Sequence, residues 1–148
     1  MSHVFVYGTL IAPEMISAVT GQLFHGTTAV APGFKRAYLT ERVYPGIVVD
    51  PASEVEGLVY LDVDEESLRR LDYFEGPEYV RGTLAVRLED GRQVQAQAYI
   101  IPAANGHLMT ERPWSVEYFV AQDLSGFVER ARLCMENYEP GKAPNRVP

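Results

Sequence analysis

Cysteine is nearly missing from this chain: Cys134 is the single one in 148 residues, so an internal disulfide is excluded. Long apolar runs are missing as well. No stretch approaches the roughly 20 residues of a membrane-spanning helix, and Met1-Ser2-His3-Val4 lacks the basic segment and apolar run that open a secretory leader. The expectation is a soluble, cytoplasmic protein with no membrane partner. Positive charge is also scarce, with 13 Lys and Arg against 20 Asp and Glu and a formal net charge of -7. Proteins that grip a phosphate backbone gather Lys and Arg on one face; this sequence has no such cluster, which argues against nucleic acid as a partner.

Familiar catalytic signatures are absent too. The histidines, His3, His25 and His107, lie far apart without metal-ligand spacing, so no metal site is expected. No Gly-x-Ser-x-Gly elbow, His-Glu-x-x-His pair, Walker loop or Gly-x-Gly-x-x-Gly fingerprint occurs, which leaves serine hydrolysis, zinc proteolysis and nucleotide binding without support. Cys134 stands beside Leu133 and Met135 in an amphipathic stretch. With nothing basic and fixed nearby in sequence to hold a thiolate, it reads as a buried, inert thiol.

What is present is ordinary globular composition, 47% hydrophobic and 22% charged, in a chain long enough to bury about two-thirds of its unfolded surface around one core. A single domain over residues 1–139 is expected, followed by a flexible tail, Pro140-Gly141-Lys142-Ala143-Pro144-Asn145-Arg146-Val147-Pro148. His3 to Tyr7 reads as a buried strand, and Pro13 suits the first turn of a helix that Gly21 ends. Leu23 to Leu39 alternates around Pro32-Gly33, as two short strands with a turn between them would. Strands are expected again after Tyr44-Pro45-Gly46 and from Val55 to Val63. Asp64 then caps a helix that carries Glu65 and Glu66 in its first turn and stops at Gly76-Pro77. Tyr79 to Leu88 and Val94 to Ile101 form a hairpin about Glu89-Asp90-Gly91-Arg92. Helical spacing from Val116 to Met135 predicts one amphipathic helix, and Trp114 reads as a core anchor. Many strands with short connections and a few helices favour an α+β fold on a closed or strongly curled sheet.

Two segments carry candidate chemistry. In Val4-Phe5-Val6-Tyr7-Gly8-Thr9-Leu10 a strand runs into glycine, which can turn successive amides toward an anion or can simply make a tight turn. Tyr7 can offer a hydroxyl there or pack as a core ring. In Leu71-Asp72-Tyr73-Phe74-Glu75-Gly76-Pro77-Glu78-Tyr79-Val80-Arg81, rings flank Glu75, so it is either a desolvated carboxyl with raised pKa, suited to moving protons, or an exposed glutamate at a helix end. Asp72 and Glu78 read as the solvated acids of this stretch. Arg81 is a partner for an acid here, for a ligand carboxylate, or for a surface ion pair.

These segments, taken in order with Tyr44-Pro45-Gly46-Ile47-Val48, Val55-Glu56-Gly57 and Trp114-Ser115-x-Glu117-x-Phe119, resemble the gamma-glutamyl cyclotransferase-like superfamily. Within it the chain is most similar to the avirulence-induced branch known from plants, with the gamma-glutamylamine cyclotransferases as close cousins. The resemblance implies a small mixed β-barrel with flanking helices and Glu75 as catalytic acid/base. It implies a substrate-binding loop of Tyr7, Gly8, Thr9 and Leu10, extended to Ile11 and Ala12, with Tyr79 and Arg81 in support. The implied reaction closes a small γ-glutamyl substrate on itself, releasing 5-oxoproline and an amine or amino acid, with no cofactor. Binding of glutamate-like acids or 5-oxoproline in the same cavity without turnover is the alternative, and partner binding through the proline-rich tail and last helix a third. The chain departs from many relatives at Ile11-Ala12-Pro13, where polar or basic residues are frequent, which implies an apolar distal site.

Overall fold

The computed structural model describes residues 1–140; the expected tail from 141 onward lies outside them. Five strands, β1 (Ser2–Val6), β2 (Gly26–Tyr38), β3 (Pro45–Val63), β4 (Val80–Leu88) and β5 (Gln93–Ile100), close a barrel in the order β1-β3-β2-β4-β5. All pairings are antiparallel except β1 with β5, which is parallel and closes the ring at Val4 and Gln97. This is the mixed β-barrel expected. Helices α1 (Pro13–Thr20), α2 (Glu65–Glu75), α3 (Val116–Gln122) and α4 (Leu124–Met135) flank it. No helix among the described residues is long and apolar enough to cross a membrane.

The core has two shells, and β1 divides them. Phe5 and Tyr7 point into the barrel with Ile47, Val59, Leu84 and Val86, while small residues such as Ala29, Ala31, Ala96 and Ala98 leave room for the rings. Val4 and Val6 point outward under α1, α2 and α4, against Met15, Leu71 and Ala131. Both faces of β1 are therefore dry from Val4 onward, which is why Val4-Phe5-Val6 shows no polar alternation. Gly57 lies where β3 crosses it: a Cβ there would sit 2.2 Å from the Val6 carbonyl oxygen.

Local signals placed several elements where the structure has them. Pro13 opens α1, and Gly21, at φ 81°, closes it by donating its amide to Ser17 O. The Asp64 carboxylate accepts the Ser67 amide at 3.1 Å to start α2. Gly91, at φ 90°, turns the β4–β5 hairpin.

Pro32-Gly33 is not a turn between two strands. β2 runs through it unbroken, and the register between β2 and β3 shifts there, with Pro32 opposite Glu54 and Phe34 opposite Val49. Residues 50–53 of β3 bulge out, braced by Asp50, whose carboxylate accepts from the Ala52 amide and the Ser53 hydroxyl. Paired irregularities of this kind bend two long strands together, which is how a five-stranded sheet curls shut. The expected last helix is also two. It breaks at Asp123, so that Phe119 and Phe127 pack edge to face at 5.7 Å, although eight residues of straight helix would separate them by about 12 Å along the axis. Trp114 is buried and donates to Val43 O at 2.9 Å, as a core anchor should.

Candidate active site

One end of β1 and the C-terminal end of α2 share a cavity of about 250 Å³ between the barrel and α4. Ligand pockets for drug-sized molecules run to about 300–1,000 Å³, so this volume suits a metabolite of amino-acid size. Tyr7, Gly8, Thr9 and Leu10 form one wall, and Glu75 and Tyr79 lie on the side of the α2 terminus. The distal wall comes from α4 through Phe127, Arg130, Ala131 and Cys134.

Glu75 is the last residue of α2, and Gly76, at φ 77°, leads the chain away from it. Its side chain is half-buried and lines the cavity. Among the described residues no hydrogen bond or cation stabilises its charge, and burial first, and then the neighbouring Glu78 and Asp72 carboxylates, push its pKa up to about 8. The negative end of the α2 dipole acts in the same direction.

The two neighbouring acids are not the solvated groups expected. Glu78 is 8% exposed, its carboxylate accepting from the Tyr44 hydroxyl at 3.4 Å and lying 3.7 Å from the Arg42 guanidinium. Asp72 accepts from the Tyr99 hydroxyl at 2.6 Å and pairs with Arg81 Nε at 2.9 Å. Each has a cation and Glu75 has none among the described residues, which singles Glu75 out of the three as the acid suited to moving a proton. Arg81 is spent on Asp72 and Gln97 and does not line the cavity.

The Tyr7–Leu10 wall is pinned from outside. Arg36 Nη1 donates to Tyr7 O at 2.7 Å, and the Tyr60 hydroxyl donates to Leu10 O at 2.6 Å. Thr9–Ile11 forms a 3-10 turn closed by the Ile11 amide on Gly8 O at 3.1 Å. The amides at the start of such a turn have no acceptor within it, so those of Thr9 and Leu10 are available to a ligand. Glycine is required at residue 8 by space and not by a left-handed backbone. A Cβ there would come within 2.9 Å of Pro45 Cγ and 3.0 Å of Cδ, in a ring that cannot swing aside.

Tyr7 is both things the sequence left open, a barrel-core ring and a cavity wall. Its hydroxyl donates to Tyr99 O at 2.7 Å, and that of Tyr79 to Pro45 O at 2.7 Å. Burial, and to a lesser degree the Glu75 charge, hold both phenols well above their ordinary range. They stay neutral and shape the site.

Ile11 and Ala12 do not line the cavity: the 3-10 turn carries the chain away, and Ala12 is buried in the outer core where α1 begins. The departure from relatives at these positions therefore falls outside the pocket. Cys134, expected to be buried, is half-buried on the α4 wall. Arg36, Tyr60, Tyr99 and the α4 residues carried no local signal, whereas Tyr44-Pro45 did, through the resemblance.

A profile of the family described as "Gamma-glutamyl cyclotransferase, AIG2-like" matches residues 4–116. The chain is 31% identical over 144 residues to AIG2-like protein C of Arabidopsis thaliana, covering 97% of this chain and 83% of that one. A solution structure from Arabidopsis thaliana superposes with a TM-score of 0.67 at 31% identity, covering 97% of this chain and 95% of that one. A structure described as gamma-glutamyl cyclotransferase shares the fold, with a TM-score of 0.59 at 18% identity over 99% of this chain and 93% of that one. The chain belongs to the gamma-glutamyl cyclotransferase, AIG2-like family.

Proposed function

We propose that the protein is a cyclotransferase that releases 5-oxoproline from a small γ-glutamyl amine or γ-glutamyl amino acid. The observation that carries this reading is a carboxyl without a counter-cation among the described residues, Glu75, in the same cavity as the amide-bearing Tyr7–Leu10 turn. A substrate α-ammonium supplies the missing cation. Glu75 takes a proton from it, and the freed amine attacks the γ-amide carbon. The new bond joins the α-nitrogen to that carbon; the bond broken is the one from the carbon to the leaving nitrogen, which Glu75 reprotonates. Overall the α-nitrogen gives up two protons and the leaving nitrogen gains two, so 5-oxoproline and an alkylammonium leave.

Nucleophile and electrophile belong to one molecule, so the protein has only to fold the substrate and move protons. A pKa raised to about 8 brings Glu75 far closer to the basicity of an α-amine than an ordinary carboxyl is, which lowers the cost of moving the proton between them. The Gly8, Thr9 and Leu10 amides would hold the substrate α-carboxylate or the tetrahedral oxyanion.

The test is 5-oxoproline release across a panel of γ-glutamyl amino acids and γ-glutamyl amines at pH 8. Turnover of at least one compound is expected. Tight binding of glutamate-like acids or 5-oxoproline, with every panel compound recovered intact, would replace catalysis with a binding function.

A further inference from the structure

Glycine at residue 8 creates a difficulty for the wall it belongs to. Pro45 excludes any side chain there, and glycine has the least intrinsic bias in how its peptide planes are set. A wall that depends on the direction of the Gly8 amide therefore needs an external device to fix it.

Arg36, near the end of β2, is placed to be that device. Its Nη1 donates to Tyr7 O at 2.7 Å and to Glu56 O at 3.2 Å. Its guanidinium carbon lies 5.5 Å from the centre of the Trp114 ring, and that ring is itself locked by its bond to Val43 O. Glu56 and Glu117 lie close enough to support its charge against partial burial. The cation is held by two carbonyls and a ring, and it does not line the cavity.

Tyr7 O and the Gly8 N–H belong to one peptide unit. No cis peptide occurs among the described residues, and in a trans unit the C=O and N–H point in opposite directions. Holding Tyr7 O on Arg36 therefore turns the Gly8 N–H away from Arg36, toward the side on which Gly8 borders the cavity. A charged donor on the carbonyl also polarises the unit and strengthens its N–H as a donor. We infer that Arg36 is a positioning residue that sets the Tyr7–Gly8 peptide plane and aims the Gly8 amide into the cavity. Its effect on turnover rests on the cyclotransferase reading; its effect on the peptide plane does not.

The experiment has two arms. In ligand-free protein, the Gly8 amide resonance is compared between wild type, Arg36→Lys and Arg36→Ala by 1H–15N NMR. In turnover, kcat/KM for 5-oxoproline release is compared with and without added guanidinium, using urea at the same low millimolar concentration as the neutral control. The Gly8 resonance is expected to move or broaden in Arg36→Ala well beyond other amides in chain turns. kcat/KM is expected to fall by about 10²-fold, with partial recovery in guanidinium and none in urea. A folded Arg36→Ala with an unmoved Gly8 resonance and kcat/KM within about twofold of wild type would overturn the inference. If Arg36→Ala does not fold, Arg36→Lys decides through the same resonance. If wild type turns over nothing, the cyclotransferase reading fails, and the ligand-free arm still decides the role of Arg36.

Discussion

Glu75→Gln is expected to lower kcat for 5-oxoproline release by about 10²–10⁴-fold, the range that a positioned acid/base contributes, while leaving the fold intact. The amide has nearly the shape of the acid, so the α2 terminus, the Gly76 turn and the packing of Phe74 against Phe127 are kept. What is lost is a group that can accept the α-ammonium proton. Asp72 and Glu78 cannot substitute, because each is tied to an arginine and a tyrosine hydroxyl. Time courses of 5-oxoproline release over the panel that wild type accepts check this. Equal rates in the two proteins would remove Glu75 from the chemistry.

The same substitution should reverse sign when stability is measured. The Glu75 pKa is about 8 when folded against an ordinary 4.5, so between those values the folded protein holds a proton that the unfolded chain has released. Stability must then fall as pH rises through this window, and level off above about 8. Allowing for solvent that enters the cavity, the loss is on the order of 3 kcal/mol. Glutamine has no such proton. Urea midpoints for wild type and Glu75→Gln are expected to agree near pH 5 and to separate toward pH 9, with the variant the more stable. Other titrating groups are common to both proteins and cancel in the difference. A constant gap between the curves would mean that Glu75 is an ordinary solvated carboxylate. A residue that costs stability in its working form and is needed for turnover is what a functional site is expected to contain.

The fold was legible where the signal is local. Proline at the start of α1, Asp64 at the start of α2 and Gly91 in the hairpin each act within a few residues of themselves, and each stands in its expected role. The ordered motifs carried the barrel. What sequence could not show was set by distant partners. Gly33 reads as a turn until residues 50–53 bulge opposite it, and the last helix reads as continuous until Phe119 and Phe127 are required to meet.

The candidate site divides in the same way. Glu75 and the Tyr7–Leu10 segment stand out in sequence because glycine and rings surround them, and the structure brings them to one cavity. Contiguity misled at Ile11 and Ala12, since a 3-10 turn redirects the chain within three residues. Asp72 and Glu78 look as solvent-facing as any acids in the chain. Their burial is made tolerable by Tyr99 and Arg81 for one, and by Tyr44 and Arg42 for the other, most of them contributed by other strands and turns. Those pairings leave Glu75 as the acid of the three without a cation among the described residues, and no local pattern announces them.

The most direct measurement is the titration of the Glu75 side-chain carboxyl carbon in ligand-free protein, followed by 13C NMR and assigned by its loss in Glu75→Gln. A midpoint near 8 is expected, far above the ordinary 4.5. A midpoint close to 4.5 would contradict the proton-transfer role of Glu75, because a carboxylate of ordinary acidity would be too weak a base to take the α-ammonium proton.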